Sequence, residues 1–276
     1  MYLLFDIGGT KTRLAFSRDA KTFEDPVIIN TPQNFKEGIS VFKDAVEQLT
    51  KGEKIIKAAG AVSGPLDKEH SMVINAPYLE GWNNKPLKKE LEKMLSAPVV
   101  LENDAALVGL GEAVHGAGKG YDIVAYITVS TGVGGARIVG GKIDASSMGF
   151  EPGHQFIDAG GSLCPDCKDP KDLDSYVSGS GVKARYGKEA YEIDDAAVFE
   201  KLAELLAYGL NNTIVHWSPD VVVLGGPMIT GDPAIPIESI QKHVSEILHI
   251  FPNPPPIVKA KLDDVGGLYG ALALVQ

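Results

Sequence analysis

The sequence predicts an α/β protein built as two similar lobes with a cleft between them. Short apolar runs alternate with helical periodicities along the whole chain. A strand, Gly-rich turn, strand opening appears at the start and again near Ile123. Between the two stretches lies Gly116-Ala117-Gly118-Lys119-Gly120, rich enough in glycine for a hinge. Clefts between lobes are common ligand sites.

The elements follow in order. Tyr2 to Asp6 reads as a strand, Gly8-Gly9-Thr10 as a turn, and Arg13 to Ser17 as the returning strand. Phe35, Ile39, Phe42, Val46 and Leu49 recur at helical spacing, predicting a helix over 36–50. Ile55 to Val62 reads as a buried strand, Leu87 to Leu95 as an amphipathic helix, and Pro98 to Leu101 as a strand. Asn103-Asp104 opens a helix running to about Ala113. The second half begins with a strand over Ile123 to Val129, a Gly-rich turn over Ser130 to Gly135, and a strand over Ala136 to Val139. The longest helix is expected from Asp194 to Trp217, on a broad apolar face that includes Leu202, Leu206 and Leu210. Val221 to Leu224 is a fully buried strand ended by Gly225-Gly226-Pro227. A helix over Ile237 to His249 breaks at Pro252, and Gly267 to Val275 closes the chain as a helix.

Composition narrows the function. The 276 residues are 44% apolar and 22% charged, which excludes wholesale disorder. Lys and Arg number 26 against 36 Asp and Glu, a formal charge of −10, so no basic face is offered to nucleic acid. No apolar run reaches the roughly 18–20 residues that cross a bilayer, and Met1 to Phe5 meets Asp6 too early for a signal peptide. A cytoplasmic protein without membrane or nucleic-acid partners is expected. Two cysteines cannot form a disulfide framework.

Several short motifs carry chemistry. In Asp6-Ile7-Gly8-Gly9-Thr10-Lys11, adjacent glycines let backbone N–H groups approach an anion, while Thr10 and Lys11 add a hydroxyl and a cation. Asp6 at the strand end suits Mg²⁺, directly or through water. The run is neither a Walker A loop nor a Rossmann loop, because its glycines precede a strand. A plain Gly-rich hairpin accounts for the same residues. Ser130-Thr131-Gly132-Val133-Gly134-Gly135 repeats the design with two hydroxyls. Leu224-Gly225-Gly226-Pro227 reads either as backbone packed on an adenine-like ring or as a strand-to-helix turn. Asn103-Asp104 reads as a helix N-cap, as a catalytic carboxylate with its neighbouring ligand at a strand's C-terminal end, or as both. Glu151-Pro152-Gly153-His154 sets a carboxylate and an imidazole where they can bond adjacent hydroxyls. Cys164 and Cys167 have half-zinc-site spacing and with His154 make three ligands; two thiols in a loop without metal is the competing reading.

Taken in order, these motifs resemble those of the ROK (repressor, open reading frame, kinase) family, within the sugar kinase, heat-shock chaperone and actin superfamily. The matching residues are Asp6 to Lys11, Ala61-Val62-Ser63-Gly64-Pro65-Leu66-Asp67, Leu101-Glu102-Asn103-Asp104-Ala105-Ala106, Ser130 to Gly135, Glu151 to His154, Tyr176-Val177-Ser178-Gly179 and Val223-Leu224-Gly225-Gly226. They run from residue 6 to near the C-terminus. The resemblance implies two ribonuclease-H-like lobes of the actin-like ATPase fold, over residues 1–115 plus about 264–276 and over 116–263. It implies transfer of the ATP γ-phosphoryl group to a sugar hydroxyl, the 6-hydroxyl of glucose or a related hexose. N-acetylmannosamine, N-acetylglucosamine or fructose is the alternative acceptor, and a catalytically weak sugar-binding protein the alternative activity. Asp104 matches the general base. Gly64, Asn103, Asp104, Glu151, His154 and Asp174 fall on the sugar side. Asp6, Gly8, Gly9, Thr10, Lys11, Thr131, Gly132, Gly225 and Gly226 fall on the ATP side, with magnesium at Asp6. A homodimer fits the resemblance.

The departures all fall on the sugar side. The family's zinc loop carries three cysteines and this chain two, with Asp172 near the place of the third. Asp174 stands where the family has Glu, and Pro77-Tyr78-Leu79 where it has Pro-Asn-Leu. The family's repressors carry a winged-helix domain before the Asp-Ile-Gly-Gly motif, which here already begins at Asp6. The expectation is retained ATP chemistry with an unusual hexose preference.

Overall fold

Apolar alternation and capping residues set most of the elements in the computed structural model, which describes residues 1–163 and 171–276. The first half contains β1 (Tyr2–Ile7), β2 (Lys11–Ser17), β3 (Val27–Asn30), α1 (Phe35–Thr50), β4 (Lys57–Val62), α2 (Leu87–Leu95), β5 (Val99–Asn103) and α3 (Asp104–Val114). Then come β6 (Ile123–Val129), β7 (Val133–Val139), β8 (Lys142–Ile143), β9 (Phe156–Asp158) and β10 (Lys171–Asp172). The chain finishes with α4 (Leu173–Val177), α5 (Gly179–Tyr186), α6 (Ala196–Trp217), β11 (Val221–Gly225), α7 (Pro227–Thr230), α8 (Ile237–Ile247), β12 (Ile257–Lys259) and α9 (Gly266–Val275). Asn34 caps α1 by accepting the Glu37 amide, and Asp195 caps α6 by accepting the Ala197 amide.

The described residues divide into two compact units. One comprises Met1–Val114, Ala145–Gly149 and Asp264–Gln276; the other His115–Asp144 and Phe150–Asp263. The first unit's sheet has the order β3-β2-β1-β4-β5. Strands β1, β4 and β5 run parallel, and β2 is antiparallel to both β1 and β3. The second unit's sheet, read as β8-β7-β6-β11-β12, repeats the plan: β6, β11 and β12 are parallel, and β7 is antiparallel to β6 and β8. Each unit thus has the ribonuclease-H-like strand order.

Each unit has its own core. In the first, Leu3, Phe5, Ile7, Phe42, Val62, Trp82, Leu91 and Leu101 are buried together, and Phe5 meets Phe42 edge-to-face at 5.6 Å. In the second, Ile127, Val129, Tyr176, Leu202, Leu206, Val222, Leu224 and Ile240 do the same. Helices α3 and α9 of the first unit pack backbone on backbone: a Cβ at Gly270 would overlap the Leu107 carbonyl, and one at Gly111 the Gly266 carbonyl.

Some expectations shift. The turn read over Ser130 to Gly135 is shorter, because β7 begins at Val133 and pairs Gly134 and Gly135 with Thr128 and Ile127. Gly135 serves packing, since a Cβ there would meet the Tyr126 carbonyl and stand 2.9 Å from Pro152. The strand expected from Ile55 begins at Lys57, and the helix expected to His249 ends at Ile247. Strands β3 and β12 and helices α4 and α5 carry no strong sequence signal.

Candidate active site

In the first unit, parallel strands β1, β4 and β5 end side by side. Asp6 pairs with Ala61, Val62 with Asn103, and the Ser63 amide donates to the Ile7 carbonyl at 2.9 Å. The C-terminal edge of parallel strands is where open α/β sheets bind ligands. Here it gathers Asp6, Ser63, Gly64, Asn103 and Asp104.

Asn103 does two structural jobs. Its Oδ1 accepts the Ala106 amide at 3.2 Å, which caps α3, and its Nδ2 donates to the Gly64 carbonyl at 3.1 Å. Gly64 has φ 109°, and a Cβ there would stand 2.7 Å from Ala76, so glycine is required. Asp104 is the first residue of α3, and its Oδ1 accepts the Ala105 amide at 2.9 Å. Burial raises its pKa above the ordinary 3.8, partly opposed by the Ser63 hydroxyl and the Ala105 amide. Asn103 thus caps α3, while Asp104 presents a raised carboxyl beside a hydroxyl.

Asp6 is pushed up to about 6 by burial and by the Asp104 charge, with Arg13 pulling the other way. Arg13 is the cross-strand partner of Asp6 and also reaches Asp264 at 3.3 Å. The first turn of α9 lies against the Asp6 carboxylate, because a Cβ on Gly267 would stand 3.0 Å from its Oδ2. Two carboxyls raised in one neighbourhood suit a hard cation with oxygen ligands, and Asp6 fits the magnesium role on that donor chemistry.

The Gly8 to Lys11 hairpin joins β1 to β2. The Gly8 amide donates to the Lys11 carbonyl at 2.9 Å. Gly9 faces Tyr78, whose Cβ would stand 2.7 Å from an added Cβ, and Gln33 Nε2 donates to the Gly9 and Tyr78 carbonyls. Thr10 is exposed, and Lys11 Nζ donates to Asn30 Oδ1 at 2.6 Å.

The second unit presents the Ser130 to Gly132 loop between β6 and β7. The short Pro152 to His154 turn packs on β7 so closely that a Cβ at Gly153 would overlap the Val133 carbonyl. This contact carries Glu151 and His154 to the same end of the sheet. His154 is exposed, and its Nδ1 lies 2.9 Å from Asp172 Oδ2. Asp172 also accepts the Ser175 amide at 2.9 Å and the Ser175 hydroxyl at 2.5 Å, which caps α4. The hydrogen bond with Asp172 raises the His154 pKa. Burial works to raise the Asp172 pKa, but the bonds from Ser175 and His154 outweigh it and hold the carboxyl low. Asp174 Oδ1 accepts the Val133 amide at 2.5 Å.

Gly225 and Gly226 end β11. Gly226 has φ 84°, and a Cβ there would stand 2.7 Å from Thr128 Oγ1; a Cβ at Gly225 would stand 2.5 Å from the Tyr126 hydroxyl. The strand-to-helix turn thus requires both glycines for packing on β6.

Cys164 and Cys167 lie outside the described residues. Among the described residues no group of three or more His, Cys, Asp and Glu could hold a metal ion. His154, the other residue of the expected zinc set, has Nδ1 engaged with Asp172. Among the described residues no helix is long and apolar enough to cross a membrane.

Sequence reasoning passed over two of these side chains. Ser63 lies inside a matched motif without a role, and its signal is its position just beyond β4, one residue past the Val62–Asn103 pair. Asp172 is expected only near the place of the third cysteine; its signal is an Asp at the N-cap position before α4, where it accepts the Ser175 amide.

Comparison with known proteins agrees across the whole chain. The sequence model described as ROK family matches residues 2–276. The N-acetyl-D-glucosamine kinase of Histophilus somni is 30% identical over 303 residues, covering 99% of this chain and 98% of that protein. Among solved structures, the ROK hexokinase of Thermus thermophilus superposes with a TM-score of 0.84 at 26% identity, covering 99% of this chain and 97% of that one. A ROK family glucokinase of Streptomyces griseus, in complex with glucose and AMPPNP, superposes with a TM-score of 0.77 at 25% identity, covering 99% and 98%.

Proposed function

The chain belongs to the ROK family, and from that premise we propose the reaction it performs. It is an ATP-dependent sugar kinase that moves the γ-phosphoryl group to a sugar hydroxyl, the 6-hydroxyl of glucose or a related hexose, with Asp104 as general base. The observation that carries this reading is the Asp104 carboxyl at the start of α3. It is raised by burial and stands against the Ser63 hydroxyl, at a strand edge that also holds Asn103 and Asp6.

The sugar hydroxyl oxygen attacks the γ-phosphorus, the bond from that phosphorus to the β–γ bridging oxygen breaks, and ADP departs with the electron pair. The hydroxyl proton passes to Asp104. Phosphoryl transfer asks mainly for positioning and charge neutralisation, so a carboxylate is base enough when it orients the hydroxyl and takes the proton late. Gly64, Asn103, Glu151 and His154 hold the sugar in this reading. Asn103 is preorganised by its α3 and Gly64 bonds, and His154 by Asp172. Asp174 falls on the sugar side in the family's pattern alone; in this chain its carboxylate is bonded to the Val133 amide. Gly8, Gly9, Thr10 and Lys11 line one phosphate turn, and Thr131 and Gly132 the other. The Gly225-Gly226 backbone meets the adenosine. Asp6 would hold magnesium, directly or through water, and the bound ion would supply charge neutralisation at the phosphates.

N-acetylglucosamine is the second acceptor reading, favoured by the 30% identity to the Histophilus somni kinase. The expected setting is the cytoplasm, with a homodimer as the assembly and no nucleic-acid partner. Zinc at His154, Cys164 and Cys167 is tested by elemental analysis of protein purified without chelator. About one zinc per chain supports the site, and none leaves His154 to Asp172.

The catalytic assignment is tested by Asp104→Asn. Sugar-dependent ADP release should fall by roughly 10²- to 10⁴-fold, the usual worth of a positioned base. A rate within a few fold of the unmodified enzyme removes Asp104 from that role.

A further inference from the structure

Asp174 is the sugar-side residue whose geometry departs furthest from its expected use. Its Oδ1 accepts the Val133 amide at 2.5 Å, and a Cβ on Gly132 would stand 3.0 Å from the same oxygen. Its Oδ2 lies 3.4 Å from the Ser178 hydroxyl, which in turn accepts the Gly181 amide at 3.0 Å. The carboxylate is thus directed along β7 toward the Ser130 to Gly132 loop.

The rest of the α4–α5 corner grips the same loop. The Gly179 amide donates to the Ser130 carbonyl at 2.8 Å, and the Ser180 amide to the Thr131 carbonyl at 3.1 Å. The Ser130 amide closes the loop on the Gly132 carbonyl at 2.8 Å. A Cβ at Gly179 would stand 3.2 Å from the Ser130 carbonyl, so the corner approaches at backbone distance. This clamp does not use the Thr131 and Gly132 amides, which are the groups an anion would take. His154 is served by a different carboxylate, Asp172, two residues earlier. The two acids at the start of α4 therefore face different jobs: Asp172 orients the imidazole, and Asp174 fixes the loop.

We propose that Asp174 is a positioning residue of the Ser130–Gly132 nucleotide loop and not a sugar ligand. The inference rests on the reading of Thr131 and Gly132 as a phosphate loop. A charged acceptor under the Val133 amide holds the loop backbone in the conformation that receives phosphate, so less ordering remains when nucleotide binds.

The test compares unmodified enzyme, Asp174→Ala and Asp174→Asn. AMPPNP with magnesium is titrated calorimetrically, and glucose and N-acetylglucosamine separately. ADP release gives KM for ATP and for whichever sugar is turned over. Asp174→Ala should weaken AMPPNP and raise KM for ATP by roughly 10- to 100-fold, as expected for losing a charge-assisted hydrogen bond. Its sugar constants should stay within about twofold. Asp174→Asn keeps an acceptor oxygen in place and should recover most of the loss. Hydrogen exchange at the Val133 amide should accelerate in Asp174→Ala and stay slow in Asp174→Asn. Weakened sugar binding with unchanged AMPPNP binding would make Asp174 a sugar ligand and overturn the proposal. Equal losses for both ligands in both variants, or no loss for either ligand, would overturn it too. Unmodified enzyme that binds AMPPNP but phosphorylates no sugar would count against the kinase reading alone, because the AMPPNP arm still reads Asp174. Unmodified enzyme that binds no AMPPNP would overturn both.

Discussion

Asp104 combines two uses of an acid at a helix start. Its Oδ1 accepts the Ala105 amide, which favours the ionised form, while burial favours the neutral one and wins. A base must be ionised to accept a proton, so activity is lost as pH falls through its pKa. The acid limb of the kcat/KM profile should therefore lie above the ordinary carboxylate value of 3.8; a limb at or below it would contradict the burial argument. Asp6, at about 6, feels the Asp104 charge. Asp104→Asn removes that charge, so the Asp6 pKa should fall, while burial keeps it above 3.8; carbon-detected NMR titration reads the shift. An unmoved Asp6 would mean that burial alone sets it. Asp104 and Asn103 were legible because a buried strand running straight into an N-cap signal marks the end of a sheet. Ser63 and Asp172 were not, because their roles come from partners far along the chain: Ser63 meets Asp104 across two strand ends, and Asp172 meets His154 through the β9–β10 pairing.

Among the elements, α9 has the tightest constraint. It lies on α3 through glycines and opens with Gly267 against Asp6. Gly270→Ala forces a methyl into the Leu107 carbonyl, and the helices must separate. Overpacking of this kind costs about 1–3 kcal/mol or more, which should lower the urea midpoint, and the shift in α9 should also weaken activity through Asp6. An unchanged midpoint would contradict the close packing. Helices α1 and α6 were readable because their apolar period is sustained, and β1 and β11 because each is a run of mostly buried apolar residues ended by glycine. Strand β3 was not: it is an edge strand whose Val27, Ile28 and Asn30 are exposed, so burial leaves no alternation to read. Strand β12 follows the Pro252 to Pro256 breaker and takes its place by pairing with β11. Helices α4 and α5 have five and eight residues, too few to repeat an apolar stripe, and they start at the Asp172 and Ser178 caps.

For the molecule as a whole, both units share one strand order, which explains why two Gly-rich hairpins recur at equivalent places after β1 and β6. The cost of the charged strand edge shows in stability. Asp6 has a folded pKa of about 6 against an ordinary 3.8, so the folded state holds its proton more tightly. The contribution of this group to stability is greatest below about 3.8, declines as pH rises through about 6, and is then a constant penalty. Asp6→Asn should raise Tm above pH 6 by an amount worth about 2 kcal/mol, discounted for its solvent contact, and should leave Tm near pH 4 almost unchanged while removing activity. Equal melting of both proteins at both pH values would contradict the assignment. ADP release from Mg-ATP across a panel of hexoses and N-acetylhexosamines measures the phosphoryl transfer most directly. Turnover should depend on one sugar, glucose or N-acetylglucosamine first among them, and should be lost in Asp104→Asn. ATP binding without sugar-dependent ADP release from any member of the panel would contradict that transfer.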